Sequence, residues 1–205
     1  FEGMTFIDAA VGKANHLSSK LIGSYEPDVA TFLGAQAPQH DLFVDLGSGE
    51  GFFCVGVARI SPAKVIGYEV NRYESRLAKR IAAANEVEIE TRGAVDHSEL
   101  NSLPPGRLLL LSDIEGLEED LLDPVLVPRL KEATMIVEVH EQFRPDVVAT
   151  LLERFGPTHE MEHFSAGEPN PGDYPELADW DRDEAKWAAF DGHFPDQGWM
   201  SFIPR

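Results

Sequence analysis

Leu42-Phe43-Val44-Asp45-Leu46-Gly47-Ser48-Gly49-Glu50-Gly51 decides the fold. An apolar run ends beside an acid, three glycines follow at alternate positions, and a second apolar segment runs from Phe52 to Ile60. Physically this reads as a buried parallel strand, a tight turn, and a helix whose free N–H groups face whatever rests on the turn. Glycine serves where the backbone takes positive φ or must come close to a ligand. The spacing G-x-G-x-G is shorter than the dinucleotide fingerprint G-x-G-x-x-G, because Phe52 and Phe53 stand where a third glycine would serve NAD. Such a turn holds a nucleotide or nucleoside, or simply makes a tight strand-to-helix corner.

Working outward, Lys64-Val65-Ile66-Gly67-Tyr68-Glu69-Val70 is a second β-rich run with Glu69 near its C-terminal end. A carboxylate there can accept hydrogen bonds from both hydroxyls of a ribose; the blander reading makes it the start of the next helix. Asn71 with Glu74 three positions on is a capping-box variant, and Tyr73, Leu77, Ile81 and Ala84 follow at helical spacing. Val87 to Thr91 reads as a third strand, 107–113 as a buried fourth and 134–140 as a fifth. A helix over 145–155 and a strand over 158–164 follow, and Gly198 to Ile203 reads as a final strand. Strands and helices alternating from about residue 41 to 164 argue a parallel sheet with helices on both faces. Residues 5–40 read as a helical cap. The proline- and aromatic-rich stretch 165–196, with Trp180, Trp187, His193 and Phe194, reads as an insertion, either a substrate-covering lid or a surface embellishment.

The whole chain, 1–205, reads as one domain: 205 residues at 43% hydrophobic suit a single core. Phe1-Glu2-Gly3 before Met4 looks like a tag remnant. A net charge of −19, from 17 basic against 36 acidic residues, argues against nucleic acid, whose affinity comes mostly from Lys and Arg on phosphates. No apolar run long enough to span a bilayer is present, so no membrane partner is expected. Cys54, the single cysteine, reads as a core residue; with no secretory leader visible, a reducing cytoplasm is the expected location.

Val44-Asp45-Leu46-Gly47-Ser48-Gly49-Glu50-Gly51, Glu69 and the alternating layout resemble class I S-adenosylmethionine-dependent methyltransferases. The resemblance covers about residues 20–205. It implies an α/β, Rossmann-like seven-stranded sheet, mostly parallel with an antiparallel last strand, and S-adenosylmethionine as cofactor. A narrower similarity is to FkbM-type methyltransferases, carried by the Asp-x-Glu-Gly-x-Glu pattern in Ser112-Asp113-Ile114-Glu115-Gly116-Leu117-Glu118. Many of these methylate hydroxyl groups of small molecules. The amino-methylating pattern Asn/Asp-Pro-Pro-aromatic is absent after the fourth strand, which favours oxygen over nitrogen in a small-molecule acceptor.

What this implies residue by residue is a set of expectations. Gly47, Gly49 and Gly51 admit the cofactor, Asp45 orients the turn or meets the amino group through water, and Glu69 takes the ribose. Asp96 reads the adenine amino group or caps a surface helix. Tyr25 and Glu26 close over the cofactor. Ligands of open α/β sheets lie at the C-terminal ends of the strands, where the chain places Asp113, Glu115 and Glu118, then Glu138, His140 and Glu141. His140 is the leading general base, with Glu138 setting its tautomer. Alternatively Asp113, Glu138 and His140 bind a divalent cation. A third reading has the acids capping helices or pairing with Arg144 or Lys131. The rival functions are an NAD-dependent oxidoreductase, a small-molecule N-methyltransferase, and a non-catalytic cofactor-binding protein.

Overall fold

The computed structural model describes residues 3–7, 16–165, 169–190 and 198–205. Its strands are β1 (Leu42–Leu46), β2 (Lys64–Tyr68), β3 (Glu90–Arg92), β4 (Leu108–Ser112), β5 (Thr134–Val139), β6 (His159–Ser165) and β7 (Gly198–Pro204). They form one seven-stranded sheet in the order β3-β2-β1-β4-β5-β7-β6. β1 pairs in parallel with both β2 and β4, while β7 runs antiparallel between β5 and β6. The expected sheet, including its antiparallel last strand, is present.

Alternation along each strand divides the core between two faces. Leu42, Val44 and Leu46 face one side with Leu108, Leu110, Met135 and Val137. There they meet α5 (His97–Asn101), α6 (Glu118–Leu121) and α7 (Val147–Phe155). Phe43, Leu109, Leu111 and Ile136 face the other side, under α2 (Pro27–Gln36) and α3 (Phe52–Ile60). Leu109 and Leu110 are fully buried, and each such side chain contributes about 1.5–3 kcal/mol of burial. The same alternation puts Asp45 on the α3 side, where an apolar residue would otherwise sit.

Three local expectations shift. The third strand is shorter and later, Glu90–Arg92 pairing with Ile66–Tyr68, because Val87 and Ile89 pack against the helices instead of the ladder. In α4 (Arg72–Ala84) the buried stripe is Leu77, Ala78, Ile81 and Ala82, while Tyr73 and Ala84 are exposed. Asn71 caps α4 by accepting from the Tyr73 N–H at 3.0 Å, but its own N–H goes to Glu69 at 2.6 Å rather than to Glu74. The strand-end acid thus does what a capping box would.

The N-terminal cap includes α1 (Leu17–Ile22) and α2. The described part of the insertion packs beside it: Leu177 and the alanines of α8 (Arg182–Ala189) meet Ile22 and Tyr174, and Ser24 Oγ donates to the Ala189 carbonyl at 2.8 Å. Trp180 and Trp187 are exposed rather than seated on the core. His193 and Phe194 lie outside the described residues. No helix among the described residues is long and apolar enough to cross a membrane.

Candidate active site

The glycine turn is held from both sides. Gly47 and Ser48 donate their N–H groups to the Tyr68 carbonyl, each at 3.0 Å, and Gly49 donates to Glu69 Oε2 at 2.9 Å. Glu69 therefore couples the turn after β1 to the end of β2, with its other oxygen on Asn71. Gly47, at φ +85°, passes so close to β4 that a Cβ would lie 1.8 Å from the Asp113 carbonyl oxygen. No other residue fits there.

Two cavities meet at this turn. The larger, about 460 Å³, is lined by Gly47, Gly49, Glu69, Glu74, Asp113 and Glu115, with Val70, Val95, Ile114 and Leu117 as apolar walls. The smaller, about 130 Å³, lies under α1 and α3; Lys20, Tyr25, Asp45, Glu50, Asp113 and Trp199 line it. Gly47, Gly49 and Asp113 border both. Both open at the C-terminal ends of the strands, as α/β sheets require of a ligand site.

The smaller cavity holds one ion pair and a buried carboxyl. Lys20 forms an ion pair with Glu50 and lies 4.2 Å from the centre of the Tyr25 ring, which sits edge-on to Phe52. Burial raises the Tyr25 phenol well above its ordinary range, and Glu26, Asp113 and Glu50 add to it. Asp45 is 1% exposed; Cys54 Sγ donates to its Oδ2 at 3.4 Å, and Oδ1 is buried with no hydrogen-bond partner. Burial pushes its pKa to about 7, with Glu69 and Glu50 contributing.

A second cluster lies beyond Gly47. His140, 1% exposed, follows β5 and turns its Nδ1 to Glu118 Oε1 at 2.7 Å. Its Nε2 stands 3.6 Å from Asp113 Oδ1, from Glu115 Oε2 and from Glu138 Oε2. Burial alone would lower the imidazole pKa, but the Glu118 hydrogen bond and the charges of Glu138, Glu118 and Glu115 raise it overall. Burial and the adjoining Glu138 carboxyl hold Asp113 well above the ordinary carboxylate range.

The Asp-x-Glu-Gly-x-Glu pattern now has a physical account. Asp113 and Glu115 face Nε2, Glu118 grips Nδ1 and also accepts from the Gly116 N–H at 3.2 Å, and Gly116 at φ +95° packs on Phe143. The turn is bent enough that Glu115 itself takes φ +54°.

Of the residues expected from sequence, Asp45, Gly47, Gly49, Glu69, Tyr25 and Asp113 line the cavities. Glu138 and His140 join the acid cluster, and Glu26, 5% exposed, stands at the N-terminal boundary of α2 next to Tyr25 without a side-chain capping bond. Gly51, at φ +82°, starts α3 against Ala78 rather than lining either cavity. Asp96 caps α5, accepting from the Glu99 N–H at 2.8 Å, while its neighbours Gly93, Ala94 and Val95 form the cleft wall. Glu118, not Glu138, fixes the imidazole. Arg144 pairs with Asp120 at 2.8 Å, not with the cluster acids. Lys20 was missed: it stands far from the glycine turn in sequence, and only the packing of α1 brings it in. Glu115 and Glu118 carried a signal in the spacing of their motif but had no assigned role.

No family model and no curated protein sequence matches the chain. Solved structures do match it in three dimensions. Cofactor-bound Rv0187 from MTB superimposes with a TM-score of 0.61 at 16% identity, over 96% of this chain and 90% of that one. The fold is shared with methyltransferases. An O-methyltransferase from Bacillus cereus in complex with SAH gives 0.56 at 13% identity, over 95% of this chain and 86% of its own. The tRNA (uracil-54, C5)-methyltransferase of Pyrococcus abyssi, in complex with S-adenosyl-L-homocysteine, gives 0.54 at 15% identity over 87% of this chain. This chain spans 37% of that enzyme's length. At such identities the likeness is one of fold.

Proposed function

We propose that this chain transfers a methyl group from S-adenosylmethionine to a hydroxyl of a small-molecule acceptor. The observation that carries the reading is the Glu69–Gly49 hydrogen bond at the mouth of the larger cleft. It sets a carboxylate and a close-approach backbone on one wall, where a ribose needs both. The apolar walls suit the adenine. In the smaller cavity, Lys20 answers the cofactor's carboxylate, and the unpartnered Asp45 oxygen answers its ammonium, directly or through water. Tyr25 and Glu26 cover that end.

The cofactor supplies an electrophilic methyl on sulfur. The chain's part is to align the acceptor and exclude water. The acid–imidazole cluster of Asp113, Glu115, Glu138 and His140 adjoins both cavities, so the acceptor oxygen would meet the methyl there. The physical consistency of the Asp-x-Glu-Gly-x-Glu turn supports the FkbM-type reading and with it oxygen as acceptor atom. The charge of −19 favours a small molecule over RNA, although RNA methylases share the fold.

The test is release of S-adenosylhomocysteine when the protein and S-adenosylmethionine meet pools of hydroxylated metabolites, amines or transcribed RNA. Turnover with a hydroxylated pool alone supports the reading. Turnover with amines or RNA alone redirects it, and none with any pool favours a non-catalytic cofactor-binding protein.

A further inference from the structure

Three carboxylate oxygens, from Asp113, Glu115 and Glu138, each stand 3.6 Å from the same nitrogen of a buried histidine. That separation is too long for a hydrogen bond. Donor atoms of Asp113, Glu115 and His140 all fall within 4.8 Å of one another. With metal–ligand bonds of about 2.1 Å, neighbouring donors sit about 3.0 Å apart in an octahedron and about 3.4 Å apart in a tetrahedron. The three separations from Nε2, at 3.6 Å, exceed these by only a few tenths of an ångström.

Two independent features point to a cation in the middle. Glu118, wholly buried, binds Nδ1 at 2.7 Å. A carboxylate on one ring nitrogen fixes the proton there and turns the lone pair of the other outward, the usual arrangement behind a metal-ligating histidine. Here that nitrogen faces three carboxyl groups, each 3.6 Å away. The Asp113 oxygen that faces Nε2, Oδ1, is also the oxygen buried without a hydrogen-bond partner. No lysine or arginine forms an ion pair with Asp113, Glu115 or Glu118 among the described residues.

We propose that Asp113, Glu115 and His140 form a binding site for a divalent cation of the Mn²⁺ type, with Glu138 beside it and Glu118 as the residue that positions His140. Oxygen donors with one imidazole and no thiolate suit Mn²⁺, Fe²⁺ or Mg²⁺ better than soft or thiolate-seeking ions. The catalytic use of the site, though not the binding, rests on the methyl-transfer reading. A cation here would bind the acceptor oxygen and lower its pKa. The hydroxyl proton then leaves to solvent past Glu115, the most exposed member. The oxygen forms its bond to the methyl carbon, and the carbon–sulfur pair stays on sulfur as a thioether. His140 is then a ligand and not the base.

The test is titration of EDTA-stripped protein with MnCl₂, read by the electron paramagnetic resonance of free Mn²⁺. One site per chain is expected, weakened at least tenfold in Glu115→Gln and Asp113→Asn and unchanged in Glu141→Gln, which is exposed and outside the cluster. Glu115 is exposed enough that its substitution spares the core, and circular dichroism checks both variants. Absence of a saturable site, or equal binding by all variants, overturns the proposal. Titration with S-adenosylhomocysteine runs in parallel. Mn²⁺ binding without it keeps the cation site and removes methyl transfer, whereas its binding without Mn²⁺ does the reverse.

Discussion

At the scale of single residues, the site is built from side chains placed where burial makes them costly. Asp45 is the clearest case, a carboxyl on the apolar α3 face whose pKa rises to about 7. The unfolded chain releases this proton near pH 4 and the folded one holds it to about 7, so stability falls across that window and levels above it. Asp45→Asn is therefore expected to gain on the parent from pH 4 upward, by on the order of 4 kcal/mol at pH 8. Urea melts at pH 4.5 and 8 check this; an equal difference at both pH values refutes it. If Asp45 also meets the cofactor's ammonium, S-adenosylhomocysteine should bind more tightly as pH rises from 5.5 to 7.5, and this trend should vanish in Asp45→Asn. Glu69→Ala is expected to weaken the same ligand at least tenfold, and unchanged affinity by calorimetry would misplace the ribose. Asp45, Gly47, Gly49 and Glu69 were legible in sequence because a strand–turn–helix junction fixes their neighbours locally. Lys20 and Glu118 were not, since their roles exist only once α1 and β5 are packed.

At the scale of elements, the turn from β4 into α6 is the most constrained. α6 is only four residues long, and its first residue, Glu118, is fully buried against His140. Glu118→Ala would leave the imidazole Nδ1–H buried without a partner, at a cost of about 1–3 kcal/mol. Gly116→Ala combines a positive φ with a Cβ only 2.8 Å from the Phe143 Cβ, so a further loss of about 1–3 kcal/mol is expected. Each kilocalorie lowers the melting temperature of a chain this size by about 2–4 °C; calorimetric scans showing no shift in either variant would contradict the account. The main strands were readable because buried parallel strands are continuous apolar runs. β3 was not placed correctly because Val87 and Ile89 belong to helix packing, a tertiary choice that a five-residue pattern cannot reveal. The insertion is similar: α8 rests on α1, and its tryptophans face solvent.

At the scale of the whole molecule, the sheet order brings the ends of β1, β2, β4 and β5 to one rim, and every proposed function lies there. The strong negative charge bears on partners rather than on fold. It predicts no measurable binding to transcribed RNA at 150 mM salt in a gel-shift assay; salt-sensitive retention would reopen an RNA substrate. The central claim is the cofactor. Calorimetric titration with S-adenosylhomocysteine, with NADH as the parallel control, tests it most directly. The account predicts one-site micromolar binding of the first and none of the second. NADH binding, or no binding of S-adenosylhomocysteine, would contradict it.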